Sequence, residues 1–126
     1  MMYIILDGDD IGLKIEKSIM ENDAVNLKRI NEDIKKIVKV VSLYLVNEGF
    51  EIIFDGADGI ICKGDGINIK NLSELVKEKC LPYTFSIGVG DNLKKSFLAL
   101  RYAKSISKNV TVVCTEKNDE FKVLRF

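Results

Sequence analysis

The chain begins with an apolar run that ends abruptly in carboxylates, and this stretch limits the folds that the chain can adopt. Tyr3 to Leu6 is β-branched and aromatic without polar alternation, which is typical of a central strand buried on both faces. Asp7, Asp9 and Asp10 follow at once and repel one another at neutral pH, so grouping them costs stability unless a cation or a functional demand offsets it. We therefore expect a central strand whose end carries a candidate metal site.

A second acidic turn lies between two further apolar runs. The turn Asp55-Gly56-Ala57-Asp58 separates Phe50–Phe54 from Gly59–Cys62, and the Asp-Gly pair is the strongest short-range signal for a β-hairpin. A plain turn residue is the better interpretation of Asp55. For Asp58, a turn residue and a ligand remain equally good until its partner turn is considered.

The remaining elements follow from hydrophobic periodicity and from capping signals. Asn22 or Asp23 caps a long helical pattern that Gly49 ends, and its mixed-charge outer face is expected to be solvated. Gly88 and Gly90 suggest a bulge or a close backbone approach in their strand. The expected elements are, in order, strand Tyr3–Leu6, helix Leu13–Met20, helix Leu27–Leu45, strands Phe50–Phe54 and Gly59–Cys62, helix Leu72–Lys79, strand Tyr83–Val89, helix Leu93–Ser107 and strands Val110–Cys114 and Phe121–Phe126, the last after a polar turn over Glu116–Glu120.

This order contains the β-α-β-β-α-β core of ferredoxin-like, or RRM-like, folds. We expect one α+β domain over residues 1–126 with an antiparallel sheet and with added α-β elements in the C-terminal half. In such a core the first strand lies beside the third and antiparallel to it. Asp7 is therefore expected next to Asp58, and the two acidic turns become one cluster.

Composition excludes several kinds of chemistry. The chain has no histidine, so catalysis must rest on carboxylates, lysines, backbone groups and a hard metal. Its 19 basic and 19 acidic residues cancel, which argues against binding of a DNA or RNA duplex by bulk charge. The 3 cysteines include no C-x-x-C pair, which argues against a disulfide framework and a zinc site, and Cys62 and Cys114 are expected to be core thiols. No apolar stretch approaches the ~18 residues of a membrane span, and no signal peptide is seen, which predicts a cytoplasmic protein.

The acidic cluster offers only oxygen ligands, which suit Mg²⁺ or Mn²⁺, two ions per site, rather than zinc. Asp7, Asp58 and the carbonyl of Gly8 are the central candidates. The free amides at the start of the first helix could hold a metal-bound phosphate. Arg101, Lys104 and Lys108, spaced by three and four, form a basic face that could hold a polyphosphate tail.

The acidic and glycine-containing turns could also serve different roles. An EF-hand beginning at Asp7 fails, because its position five is Ile11 and its position twelve is Ser18. Asp9 or Asp10 could simply cap the first helix. Gly64-Asp65-Gly66 is too weak a phosphate-loop pattern and is expected to be a plain connection.

Four segments in register resemble a known family. Their order and spacing resemble those of the GGDEF and CRISPR-polymerase palm domains, and the segments are YIILDGDDIG, FDGADGII, YTFSIGVG and LALRYAKSISKN. The resemblance is greatest to the minimal CRISPR polymerase group and covers nearly the whole chain.

This resemblance implies a nucleotidyltransferase that joins nucleoside triphosphates through two divalent metals into a cyclic di- or oligonucleotide, in antiviral defence. By position, it implies that Asp7 bridges both metals and that Gly8 and Asp58 complete the ligands, with Asp9 as a further candidate. It implies phosphate contacts from Lys104 and Lys108. The list of expected phosphate-binding residues is completed by Asp10, Ile11, Gly12 and Arg101.

The chain also departs from the family pattern. Diguanylate cyclases carry a guanine-reading asparagine where this chain has Ile15, which favours ATP over GTP. Gly12 replaces a lysine, and the hairpin lacks the second acidic residue. A homodimer is expected, because ring closure is simplest when two protomers each present one nucleotide, and a separate effector protein would read the product. The alternatives are a catalytically degenerate palm that binds a nucleotide as a signalling module and a metal-dependent nucleotide cyclohydrolase.

Overall fold

The computed structural model describes residues 1–115, 117 and 119–126, and these form one six-stranded sheet with helices on both faces. The sheet order is β2-β3-β1-β4-β5-β6, antiparallel throughout except for the parallel pair β4 and β5. This confirms the predicted α+β, ferredoxin-like palm, with α4, β5 and β6 added after the core. The elements are β1 (Met2–Gly8), α1 (Ile11–Met20), α2 (Ala24–Asn47), β2 (Glu51–Gly56), β3 (Gly59–Gly64), α3 (Ile69–Lys79), β4 (Phe85–Gly90), α4 (Leu93–Ile106), β5 (Thr111–Cys114) and β6 (Phe121–Leu124).

Strand β1 is the central strand that its apolar run predicts. It pairs with β3 on one side and with β4 on the other. Ile4 and Leu6 are buried in the main core together with α2 and α3, whereas Ile5 pairs with Gly88 on the opposite face, where α4 packs. Full burial of each such side chain contributes about 1.5–3 kcal/mol, so the strand is held in place from both faces.

Helix α2 begins and ends where its sequence signals predict. The Asp23 side chain accepts a hydrogen bond from the Asn26 amide at 2.9 Å, and Gly49 lies just beyond the helix with a φ of 89°. Its buried stripe consists of Ile30, Ile34, Ile37, Val41 and Leu45. The outer face is largely solvated, as expected, although the Asp33 carboxylate accepts a hydrogen bond from the Tyr83 hydroxyl.

Several boundaries differ from the expected ones. Helix α1 starts at Ile11, two residues early, and α3 starts at Ile69 because the Asn68 side chain caps it. Gly64 is the last residue of β3, so the connection from β3 to α3 spans only residues 65–68. Strand β6 ends at Leu124.

The hairpin has a two-residue loop, Ala57-Asp58, and not a turn centred on Asp-Gly. Ala57 takes a left-handed φ of 50° there. Of the polar turn expected over Glu116–Glu120, Glu116 and Asn118 lie outside the described residues.

Helix α4 packs unusually close to the sheet. A side chain at Gly88 would overlap the backbone at Ser96 and Leu100, and one at Gly90 would lie 2.6 Å from the Ser96 nitrogen. The two glycines therefore mark a close backbone approach, one of the two predicted possibilities. The face turned to the sheet carries small residues, Ser96, Ala99 and Ala103, together with Leu100.

The expected inward positions of Leu93 and Phe97 are wrong. Their side chains are 46% and 47% exposed, whereas Leu100 and Ala103 are buried as expected. Only small side chains fit where the helix lies against glycine backbone, so the large apolar residues at the start of the helix are turned to its flanks.

All three cysteines are buried free thiols, as predicted for Cys62 and Cys114. Burial raises the pKa of Cys62 to about 12 and that of Cys80 to about 11. Within the part of the chain that the structure describes, no helix has the length and apolar character needed to cross a membrane.

Candidate active site

The strand pairing brings the two acidic turns together at one edge of the sheet. Asp7 lies opposite Gly59 on β3 and opposite Ser86 on β4. The Gly8 amide donates a hydrogen bond of 3.0 Å to the Asp58 carbonyl. The contact expected from the ferredoxin-like topology is therefore present, and it joins the end of β1 to the hairpin loop.

Gly8 lets the hairpin approach this closely. A Cβ atom at this position would lie 2.6 Å from the Ile11 side chain and 3.0 Å from the Asp58 carboxylate. Any larger residue would separate β1 from the loop, so the backbone of Gly8 and the carboxylate of Asp58 are neighbours only because Gly8 has no side chain.

Burial, followed by the charge of Asp7, raises the pKa of Asp58 above its usual value. The charge of Lys104 acts in the opposite direction. A raised carboxylate pKa beside a second carboxylate means that the folded protein holds these charges together at a cost in free energy. Such a cost is typical of functional sites, where a bound cation can offset it.

Asp9 has a different environment from the other carboxylates of the turn. It is only 4% exposed and accepts hydrogen bonds from Ser86 Oγ at 2.7 Å, Thr84 Oγ1 at 2.8 Å and the Asn109 amide at 2.9 Å. Lys104 Nζ adds a fourth contact at 3.3 Å. Both carboxylate oxygens are thus occupied by protein donors, and Asp9 ties the end of β1 to β4 and to the segment after α4.

Thr84, Ser86 and Asn109 were not predicted from the sequence as parts of the site. The only sequence signal was Ser86, a polar residue at 0% exposure inside the otherwise apolar strand FSIGVG. A buried hydroxyl requires a hydrogen-bond partner, and here the partner is Asp9.

Lys104 is held by three oxygen atoms of the acidic turn. Its ammonium donates to Asp7 Oδ2 at 2.9 Å, to the Gly8 carbonyl at 2.9 Å and to Asp9 Oδ1 at 3.3 Å. Burial disfavours the charged form, but the hydrogen bond to Asp7 and the charges of Asp7 and Asp9 outweigh it and raise the pKa of Lys104. Lys104 is therefore protonated in the folded protein and sets a positive charge among these oxygens.

Asp10 and Lys108 form a second, exposed ion pair at the rim of the site. Both residues have left-handed backbones, with φ values of 58°. The hydrogen bond from Lys108 lowers the pKa of Asp10. Asp10 occupies the N-cap position of α1, but its side chain makes no capping hydrogen bond there, and neither does that of Asp9. Helix capping therefore does not explain either carboxylate.

Arg101 does not extend the basic face into the site. Its guanidinium lies 5.8 Å from the centre of the Phe97 ring, in a cation–π arrangement. No ion pair joins it to the acidic turn among the residues described here. Of the three predicted basic residues, Lys104 and Lys108 contact the acidic turn.

A cleft of about 730 Å³ opens beside Asp58, between α1 and α2. Its lining includes Ile11 and Gly12, where α1 begins, and also Ile15 and Asn31. This volume falls within the range of small-molecule sites, roughly 300–1,000 Å³. The cleft brings apolar walls, the first amides of α1 and the Asp58 carboxylate into one space.

The donor set fits a hard divalent cation that also binds phosphate. No group of three or more Asp, Glu or Cys side chains forms a ready-made cage within the described residues. Mg²⁺ is nevertheless bound in many phosphate sites by one or two carboxylates, with waters and substrate oxygens completing its coordination. Asp7, Asp58 and the Gly8 carbonyl meet that requirement.

A family comparison identifies the chain. The model of the minimal CRISPR polymerase domain matches residues 3–114. The chain belongs to this family. A search of curated proteins found no match.

A solved structure supports the same fold. The chain is similar to a diguanylate cyclase/phosphodiesterase from Caldicellulosiruptor saccharolyticus, with a TM-score of 0.61 and 20% sequence identity over 96% of this chain and 78% of that one. Likeness at this identity shows the fold alone. This likeness agrees with the family match in giving the minimal CRISPR polymerase domain a palm-type fold.

Proposed function

We propose that this minimal CRISPR polymerase domain is a metal-dependent nucleotidyltransferase that condenses nucleoside triphosphates into a cyclic di- or oligonucleotide. One observation carries the proposal: Asp7, the Gly8 carbonyl and Asp58 meet at the end of β1, beside the first amides of α1. This arrangement supports a site that combines cation ligands with anion-binding amides next to one cleft.

The bound ions, Mg²⁺ or Mn²⁺ and two per site, would supply activation of a ribose hydroxyl and charge neutralisation on the transferred phosphoryl group. Asp7, Asp58 and the Gly8 carbonyl would hold them. The amides of Ile11 and Gly12 would orient the phosphates, and Lys104 and Lys108 would contact the polyphosphate tail. Asp9 is better described as the residue that fixes this arrangement, since both of its oxygens accept hydrogen bonds from the protein.

The walls of the cleft favour ATP as the substrate. Ile15 lines the cleft and offers no hydrogen bond to a base edge. Most of the lining is apolar, although Lys28, Asn31 and Lys35 also contribute to it, so the base would be held largely by apolar contact in a cleft that Asp58 also lines. An apolar wall does not reward the extra polar groups of guanine with hydrogen bonds, and a buried polar group that lacks a partner costs free energy.

The biological setting follows from the same reaction. One site activates one hydroxyl at a time, so we expect two copies of the chain to face each other during ring closure. The product would be read by a separate effector protein in antiphage defence. The reaction needs neither a nucleic-acid duplex nor a membrane, and we expect it in the cytoplasm.

The test is a product assay with purified protein, each nucleoside triphosphate in turn, and Mg²⁺ or Mn²⁺. Mass spectrometry should detect a cyclic product with ATP. Asp7→Ala and Asp58→Asn should each lower its formation by roughly 100-fold or more, because each removes a carboxylate that would hold the ions that neutralise charge on the transferred group. Asp55→Asn is the matched control, since Asp55 is an exposed carboxylate of the same hairpin whose register partner is Ile60, and its effect should stay within about threefold. Linear products or unchanged nucleotides under all conditions would refute the proposal.

A second candidate, a nucleotide-binding module without catalysis, is favoured by one observation. The Lys104 ammonium already satisfies Asp7 and the Gly8 carbonyl. Under this alternative, ATP would bind and remain unchanged, and Asp7→Ala would alter its dissociation constant only modestly. Isothermal titration of ATP with both proteins, beside the product assay, separates the two functions.

A further inference from the structure

The contacts of Lys104 bear on how the proposed site is regulated. Its ammonium is held by Asp7 Oδ2, the Gly8 carbonyl and Asp9 Oδ1. Two of these three residues, Asp7 and Gly8, are the ones assigned above to cation binding. The lysine and a divalent ion therefore require the same oxygen atoms.

Sharing these atoms is unfavourable. Mg²⁺ binds oxygen at about 2.0–2.1 Å, so an ion and an ammonium on the same oxygens lie within about 5 Å of each other. Like charges at that distance in a partly buried site repel strongly. The ion can bind fully only when the ammonium leaves Asp7 and Gly8.

Asp9 does not compete in this way. Its hydrogen bonds with Thr84, Ser86 and Asn109 keep it in place whether or not Lys104 remains beside it. Lys104 is the movable part, because its side chain is 26% exposed and its ammonium lies at the end of a flexible four-carbon stem. A triphosphate beside Asp58 would offer the displaced ammonium a new set of anionic oxygens.

We propose that Lys104 is a built-in counter-cation that competes with the divalent metal for Asp7 and the Gly8 carbonyl, so that metal and triphosphate bind cooperatively. The inference rests on the proposed function. Metal alone binds weakly because it must displace the lysine into solvent. Metal with triphosphate binds tightly because the triphosphate accepts the lysine, and this coupling is reciprocal.

The test measures protein-bound Mn²⁺ by equilibrium dialysis, with and without a non-hydrolysable ATP analogue present on both sides of the membrane, so that Mn²⁺ bound by the free analogue cancels. Lys104→Met removes the charge and keeps the length of the side chain. Lys108→Met is the matched control, because it removes one charge from the same site but from a residue paired with Asp10. Without nucleotide, Lys104→Met should bind Mn²⁺ at least tenfold more tightly than the wild type, and Lys108→Met less than threefold more tightly. With the analogue, the difference between the wild type and Lys104→Met should shrink to less than threefold.

Thermal unfolding gives a second readout that reports whether each variant folds. Mn²⁺ alone should raise the melting temperature of Lys104→Met, and of a second variant, Lys104→Gln, more than that of the wild type. Equal Mn²⁺ affinity in Lys104→Met and Lys108→Met, with binding present in both, would overturn this inference and leave the proposed function intact. Failure of every variant and of the wild type to bind Mn²⁺ even with the analogue would overturn both.

Discussion

Replacing Asp9 is expected to damage the fold more than replacing any other carboxylate of the acidic turn. Asp9→Ala removes the acceptor of three buried or half-buried donors, Thr84, Ser86 and Asn109, and one partner of the contact with Lys104. Thr84 lies just before β4, Ser86 lies within β4, and Asn109 lies in the segment after α4. The loss of these hydrogen bonds separates the end of β1 from β4 and from that segment.

The size of the effect follows from the partners that remain. The Asn109 amide keeps a hydrogen bond of 3.1 Å to Ser86 Oγ, and Lys104 keeps Asp7 and the Gly8 carbonyl. A buried group left without a partner costs about 1–3 kcal/mol, and breaking a buried charge pair costs about 3–5 kcal/mol. Since the groups share partners, their costs do not add fully. We therefore expect the free energy of unfolding of Asp9→Ala to be about 3–5 kcal/mol lower than that of the wild type. The free energy of unfolding of a typical domain is only about 5–15 kcal/mol.

Urea unfolding followed by circular dichroism measures this loss. If the free energy of unfolding falls by about 1.5 kcal/mol per M urea, the unfolding midpoint of Asp9→Ala should be about 2–3 M urea lower than that of the wild type. Asp9→Asn keeps the shape and one acceptor, so its loss should be about 1–3 kcal/mol. Asp10→Ala is the control, because Asp10 is in an exposed ion pair, and its midpoint should change little. If Asp9→Ala were as stable as Asp10→Ala, or more stable than the wild type, Asp9 would be an unpaired charge kept for a ligand, and the reasoning would be refuted.

Three further predictions use other parts of the molecule. Gly88→Ala should lower the free energy of unfolding by at least about 3 kcal/mol, because the new methyl group meets the backbone of α4. Gly12→Ala should be neutral or stabilising, because a methyl group there has open space. The midpoints of urea unfolding compare the two variants. Asp58→Asn should raise the free energy of unfolding at pH 7 by about 0.5–2 kcal/mol and lose that advantage in acid. Burial and the neighbouring carboxylate of Asp7 raise the pKa of Asp58, so the stability of the wild type falls as the pH rises through that pKa. A less stable Asp58→Asn at pH 7 would contradict this prediction. Burial and the hydrogen bond to Asp33 raise the pKa of Tyr83 to about 12, so its contribution to stability is complete below about pH 10 and is lost as the pH rises toward 12. The stability of Tyr83→Phe should therefore decline less than that of the wild type between about pH 10 and 12.

The elements of this fold were largely predictable because their signals are local. The stripe of α2, its Asp23 cap and the Gly49 stop lie in one continuous stretch. The apolar run of β1 likewise specified a strand with both faces buried. Boundaries were less predictable, as with α3, where the Asn68 cap extends the helix by a turn that periodicity alone did not indicate.

The orientation of α4 could not be predicted from its own sequence. Periodicity assigned Leu93 and Phe97 to the core because they are large and apolar. The sheet beneath the helix carries Gly88 and Gly90, and a helix that approaches glycine backbone can turn only small side chains to it. The inward face was thus decided by the partner strand.

The sequence by itself determined the acidic turn, its position after a buried strand and its meeting with Asp58, since a β-α-β-β-α-β order leaves few ways to pair the strands. Only the tertiary structure distinguished the carboxylates from one another. Asp9 lies among donors from Thr84, Ser86 and Asn109, Asp10 pairs with Lys108, and Asp7 shares Lys104 with the Gly8 carbonyl. The role of a carboxylate depends on its partners, and these come from segments distant in sequence that only folding brings together.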